Sequence, residues 1–235
     1  FYDENSPTLR VGGGITKNFE TIKHDFKMYS LSNSYSNSDL EDWEKRNRKI
    51  IDGAVAYVCE LKYDGASINL TYENGVLLRA VTRGDGTQGD DVTRNIKTIN
   101  SVPLKLKGDF PDRFDIRGEI VLPFEGFNNM NKQRILEGEE PYRNPRNTAS
   151  GSLKLQDSSE VAKRPLDCLL YHMVGDKLPI QTQYESLDLA RKLGFKVPTI
   201  SRLVTTIPEV IKFVEYWDQH RHGLPYEIDG VVIKV

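Results

Sequence analysis

What this chain of 235 residues has little of narrows its class first. It lacks an excess of positive charge: 32 basic against 34 acidic side chains leave a net charge of −2. Nothing global therefore argues for a polyanionic partner, and any contact with nucleic acid must be local or shared with other parts. No apolar run approaches the roughly 20 residues that span a bilayer, so no membrane segment is expected. The first residues, Phe1 to Pro7, lack the basic start and apolar middle of a signal peptide, which points to a reducing, cytoplasmic compartment. Only two cysteines are present, Cys59 and Cys168, each inside an apolar strand-like run where a thiol behaves as a small buried hydrophobe. No internal repeat or low-complexity stretch is found. What remains, 38% hydrophobic and 28% charged residues, suits one soluble domain with a substantial mixed core.

The chain divides into a connecting arm over residues 1–35 and a core over residues 36–235. The arm shows little periodicity, and its Gly12-Gly13-Gly14 reads as a flexible connector. Ser38-x-x-Glu41 has a capping-box pattern, and Leu40, Trp43, Ile50 and Ile51 follow on one stripe, so a helix is expected from about Asp39 to Ile51. Strands are expected at Val55 to Lys62, Ser67 to Tyr72 and Val76 to Arg83, the last two joined by an Asn74-Gly75 hairpin turn. A two-residue loop pairs Glu73 with Val76, Asn69 with Ala80, and Ala66 with Arg83. Thr82 to Gly89 reads as a glycine-rich connection, and Val92, Ile96 and Ile99 as a short helix. Phe114 to Leu122 alternates as a strand that puts Arg117 and Glu119 on one face. Pro123 opens a helix carrying Phe124, Phe127 and Met130, and Asn144 to Ser152 reads as a polar turn before another short helix. A strand at Leu166 to Val174, helices at Tyr184 to Leu193 and Pro208 to about His220, and a closing strand at Glu227 to Val235 complete the pattern.

One lysine stands out. In the strand ending Glu60-Leu61-Lys62-Tyr63-Asp64-Gly65, period-two alternation puts Glu60 and Lys62 on one face. A lysine acts as a nucleophile only when neutral, and burial or a nearby cation favours that form. Val58 and Ala56 offer apolar surroundings, while Arg83 and Lys234 offer positive charge that also suits a phosphate. Glu60 and Glu119 are then acceptors for ribose hydroxyls or a base amine. The plain alternative is a set of solvated charges at strand ends.

Lys62-x-Asp64-Gly65 resembles the K-x-D-G motif of the covalent nucleotidyltransferases: DNA ligases, RNA ligases and capping enzymes. Arg117-Gly118-Glu119 and Asp229-Gly230-Val231-Val232-Ile233-Lys234 resemble two further elements of that group, in the same order. Cys59 to Lys62, Thr82 to Gly86, Asn144 to Asn147 with Gly151-Ser152-Leu153, and Met28 to Leu31 narrow the resemblance to the adenylation domain of bacterial NAD-dependent DNA ligases, from about Ser6 to Val235. This implies an α+β nucleotidyltransferase fold, ATP-grasp-like, with antiparallel sheets flanked by helices. It also implies a ligase of DNA replication and repair, a monomer using NAD and Mg2+ on nicked duplex DNA. Carried over, Lys62 takes AMP, and Asp64 and Asp229 lie near the lysine and the magnesium. Glu60 contacts adenine, Arg83 and Glu119 contact ribose and phosphate, Lys234 contacts phosphate, Tyr171 stacks on the base, and Ser30 and Leu31 line the site. Arg146, Lys154 and Arg221 match DNA-phosphate contacts. Simple alternation, however, puts Asp229 on the face opposite Lys234; the sequence does not resolve this, though a twist or bulge at Gly230 would. The resemblance further implies a nicotinamide-recognising module before Phe1 and a lysine-bearing strand and DNA-binding domains after Val235. Two readings stay open beside it: an ATP- or GTP-using ligase or capping enzyme, and a nucleotide- or DNA-binding module without turnover.

Overall fold

The computed structural model describes residues 18–235; the Gly12 to Gly14 stretch lies outside them. The strands are β1 (Thr21–Lys23), β2 (Tyr57–Tyr63), β3 (Ala66–Glu73), β4 (Val76–Thr82), β5 (Gln88–Asp90), β6 (Arg113–Val121), β7 (Asp167–Val174), β8 (Ser201–Val204) and β9 (Ile228–Lys234). The helices are α1 (Asn37–Arg48), α2 (Thr93–Ile96), α3 (Phe124–Leu136), α4 (Pro145–Leu153), α5 (Ser158–Ala162), α6 (Gln183–Lys192) and α7 (Ile207–His220). All pairings are antiparallel, in sheets ordered β1-β5, β8-β2-β9 and β4-β3-β6-β7. The fold is α+β, as expected.

Strand β2 shows why the two larger sheets meet. Tyr57, Cys59 and Leu61 on one face pack with Val204, Ile207, Val210 and Phe213, whereas Val58 on the other face joins the larger core of β3, β4, β6 and β7. Strand β2 is thus the seam between two cores, with Glu60 and Lys62 on the face of Val58 where the larger core gives way to a cleft. The chain changes sheets at Asp64-Gly65, two residues after Lys62. Both thiols are buried, and burial raises them, Cys59 to about 11.

Several expectations need correction. Helix α1 starts two residues early because Ser36 and Asp39, not Ser38 and Glu41, form the capping box. It ends at Arg48, leaving Ile50 83% exposed, while Trp43 packs on Tyr57 at 5.7 Å. Asn144 to Ser152 is not a turn: Asn144 caps α4, Pro145 occupies its first position, and the small residues that suggest a loop let the helix lie against β3 and β6. Gln88–Asp90 is a strand, and only Thr93–Ile96 of the next segment is helical. Strand β8 and helix α5, at four and five residues, are too short to leave a periodic signal.

Candidate active site

Three β-bulges decide which side chains face the space between the sheets. In the β3–β4 hairpin, Glu73 pairs with Val76 as expected, but Tyr72 pairs with Leu77 and Thr71 with Arg79, so Leu78 is the extra residue. Beyond it the register differs by one from the expected pairing, Ala80 opposing Leu70 and Arg83 bonding Ser67 rather than facing Ala66. In β9, Lys62 pairs with Gly230 and Tyr63 with Ile228, so Asp229 is the extra residue. Gly230 has φ +153°, a conformation that side-chain-bearing residues rarely adopt. The bulge turns Asp229 to the face that alternation denies it, and Lys62 Nζ donates to both its carboxylate oxygens at 2.6 and 2.8 Å. In β7, Arg117 pairs with His172 and Gly118 with Leu170, leaving Tyr171 as the extra residue. Consecutive residues Tyr171 and His172 therefore both line the cleft while Leu170 and Met173 both enter the core. Bulges that re-aim side chains recur beside functional sites.

The cleft has a volume of about 520 Å3, within the range of small-molecule sites. At one end Glu60, 6% exposed, accepts from Lys234 Nζ at 2.9 Å and from Gln183 Nε2 at 2.9 Å. Lys234 also lies 5.3 Å over the Tyr171 ring, and burial lowers its pKa against the pull of Glu60. Lys234 thus belongs with Glu60 rather than beside Lys62, because it pairs with Val58, four residues along β2. At the other end are Lys62, Asp64, Arg83, Glu119 and Arg146, all lining the cleft. Burial pushes the Glu119 carboxyl up to about 7, with Arg146, Lys62 and Arg83 pulling it down and Asp64 adding to the rise. Gly65 is required by this packing: a Cβ there would collide with the Ile120 carbonyl and sit 2.9 Å from the Glu119 side chain. Asp64 is held by Arg146 from α4.

The rim is the segment from Met28 to Asn33, including Ser30 and Leu31. Its approach is pinned to the core by Met28 N–H donating to Gly86 at 2.8 Å and by Arg117, which donates to the carbonyls of Phe26 and Lys27 at 2.9 and 3.0 Å. Arg117 belongs to the R-G-E pattern, which by itself gives this arginine no site role. Gln183, which joins His172 through a 3.0 Å bond, belongs to no motif in the sequence, and His172 enters only as the neighbour of Tyr171. A second cleft of about 470 Å3 adjoins the first, sharing Arg83 and Arg146 and adding Lys154, which pairs with Asp90 at 2.9 Å. Arg221, in a 3-10 turn, lines neither. Among the described residues, no helix is long and apolar enough to cross a membrane.

A sequence model of the family described as the NAD-dependent DNA ligase adenylation domain matches residues 16–235. The chain belongs to that family. It is similar to proteins named DNA ligase from Christiangramia forsetii, 68% identical over 100% of this chain and 35% of the relative, from Flavobacterium psychrophilum, 68% identical over 100% and 35%, and from Bacteroides fragilis, 51% identical over 100% and 36%. The chain spans about a third of the length of these curated relatives. As an NAD-dependent ligase adenylation domain, it contains the K-x-D-G lysine at the seam between its sheets, with Asp229 as its acidic partner and Glu60 lining the same cleft.

Proposed function

We propose that the protein carrying this chain is a DNA ligase in which Lys62 takes AMP from NAD. The AMP then passes to the 5′-phosphate of a nick in duplex DNA, and the 3′-hydroxyl displaces it to seal the strand. The protein acts as a monomer in the cytoplasm. The observation that carries this reading is the shared face of β2: Glu60 and Lys62 lie two residues, about 7 Å, apart and line one nucleotide-sized cleft.

In the first step Lys62 Nζ bonds to the α-phosphorus, the phosphoanhydride bond breaks, and nicotinamide mononucleotide leaves with the electron pair. Two protons leave Nζ, one before attack to give the neutral amine and one as the N–P bond forms, both to solvent in the open cleft, while Asp229, hydrogen-bonded to Nζ, aims the amine. The pair's side chains are 42% and 36% exposed, so Lys62 is held by a carboxylate rather than buried or set next to a cation as the sequence suggested. The attraction to Asp229 contributes no more than about 1 kcal/mol, and the cost of the step lies in deprotonating the ammonium. Arg83 and Arg146 hold phosphate oxygens, Glu119 the ribose, and Tyr171 the base face. Lys234, expected on phosphate, is assigned here to ordering Glu60. A magnesium ion fits the donor set, since it takes one or two carboxylates and completes its shell with phosphate and water. Asp64 and Asp229 would supply them; among the described residues no group of three or more potential ligands is present. When bound, the ion neutralises phosphate charge. Arg146 and Lys154 contact DNA phosphates from the second cleft.

Intact-mass measurement of the full-length protein after incubation with NAD and magnesium tests the reading. A gain of one AMP that Lys62→Ala abolishes, and that ATP does not produce, is expected. No gain, or a gain that survives Lys62→Ala, overturns it.

A further inference from the structure

Gln183 opens helix α6, a position that by itself needs only a helix former, yet every polar group of its side chain is spent on the base end of the cleft. Its Nε2 donates to Glu60 Oε1 at 2.9 Å and to the Tyr171 carbonyl at 2.7 Å, and its Oε1 meets His172 Nδ1 at 3.0 Å. The amide can sit only this way round, because Glu60 and the carbonyl are both acceptors and a flipped amide would set oxygen against oxygen twice. The consequence passes on to both neighbours. His172 must donate from Nδ1, which leaves its Nε2 an acceptor, and burial lowers its pKa so that the ring stays neutral. Glu60 receives both Lys234 and Gln183 on Oε1, so its other oxygen is the one left for a ligand.

We propose that Gln183 is a positioning residue that fixes Glu60 and His172 as hydrogen-bond acceptors and thereby makes the site select a 6-amino purine over a 6-oxo purine. The inference rests on the adenosine reading of this cleft. An exocyclic amine donates to such acceptors, whereas a 6-oxo group meets them lone pair to lone pair. Sites built around hydrogen bonds to one partner reject the analogue that lacks it. Gln183 touches no reacting atom, so its removal acts on recognition and leaves the transfer step alone.

The experiment uses the full-length protein and measures lysyl-AMP formation from NAD and lysyl-IMP formation from its hypoxanthine analogue, in wild type, Gln183→Leu and Gln183→Glu. In Gln183→Leu we expect KM for NAD to rise about tenfold with kcat nearly unchanged, and the preference for NAD over the analogue to shrink about tenfold. Gln183→Glu, which cannot donate to Glu60, shows the same loss. An unchanged preference, or an equal loss with both dinucleotides, overturns the proposal. Because a variant can fail to fold, the tautomer of His172 in the wild type is read independently by nitrogen-15 NMR, with His172→Gln assigning the signal. An Nδ1-protonated ring is expected, and an Nε2-protonated ring overturns the proposal. Absence of any adduct from NAD in the wild type would instead overturn the adenosine reading, while the NMR result still judges the hydrogen-bond assignment.

Discussion

Replacing Glu119 with glutamine should strengthen the fold and weaken the site at once. Burial raises the Glu119 carboxyl from 4.5 to about 7, in spite of Arg146, Lys62 and Arg83. The folded state then binds the proton more tightly than the unfolded state does, so stability falls as pH climbs from about 4.5 to about 7 and is level above that. At 1.36 kcal/mol per pH unit, the interval corresponds to a stability deficit of about 3 kcal/mol at pH 8. Glu119→Gln removes the titration, and the unfolding midpoint of this variant at pH 8 should lie above that of the wild type, the gap closing toward pH 5. Binding moves the other way, since only the ionised carboxylate is a strong acceptor for ribose hydroxyls. Adenosine is the ligand to use because it has no phosphate to titrate. Its affinity for the wild type should be level above pH 7 and fall with each step below it, reaching about thirtyfold weaker at pH 5.5. For Glu119→Gln, calorimetry should show weaker binding at pH 8 and no break near pH 7. A wild-type profile flat from pH 5.5 to 8, or a variant that keeps the break, would refute the reasoning.

Two further outcomes follow from the same geometry. Glu60→Gln should weaken AMP binding about tenfold, measured by calorimetry, with the unfolding midpoint moving little; the amide oxygen can still accept from both Lys234 and Gln183, but the amide then turns its donor to the base and the acceptor there is lost. Arg117→Met should free the Phe26 and Lys27 carbonyls, so limited proteolysis should cut the segment before Ser30 faster and AMP affinity should drop, while the strand pairs of β6 keep their hydrogen-exchange protection.

Much of this site is legible in the amino-acid sequence. Alternation alone puts Glu60 with Lys62 and Arg117 with Glu119, because strands buried against a core must keep one register. The family motifs bring these strands together. What alternation does not reveal is the bulges. The extra residues Leu78, Asp229 and Tyr171 share no residue type, and only at Gly230 does a neighbouring glycine hint at one. The arm looks featureless in sequence for a related reason. Among its described residues, Thr21–Lys23 pair with β5, and the Phe26, Lys27 and Met28 backbone is satisfied by Arg117, about 90 residues away, and by the Gly86 loop rather than by local periodic bonds. Gln183 leaves no signal because nothing local distinguishes it from any other residue at a helix start, while its decisive partner Glu60 lies 123 residues earlier. For Lys234, alternation finds the right face but not the right end, since alternation alone fixes no register between β9 and β2, and the antiparallel pairing of Gly230 with Lys62 carries Lys234 four residues away to Val58.

The central claim is that Lys62 at the sheet seam is the residue that accepts AMP. Peptide mapping of the full-length protein after reaction with NAD and magnesium tests it most directly. The account predicts that the AMP mass sits on the peptide containing Glu60 to Gly65, with fragmentation placing it on Lys62 as an acid-labile phosphoramidate. AMP found on Lys234 or any other residue, or Lys62 unmodified under conditions in which the protein seals nicks, would contradict it.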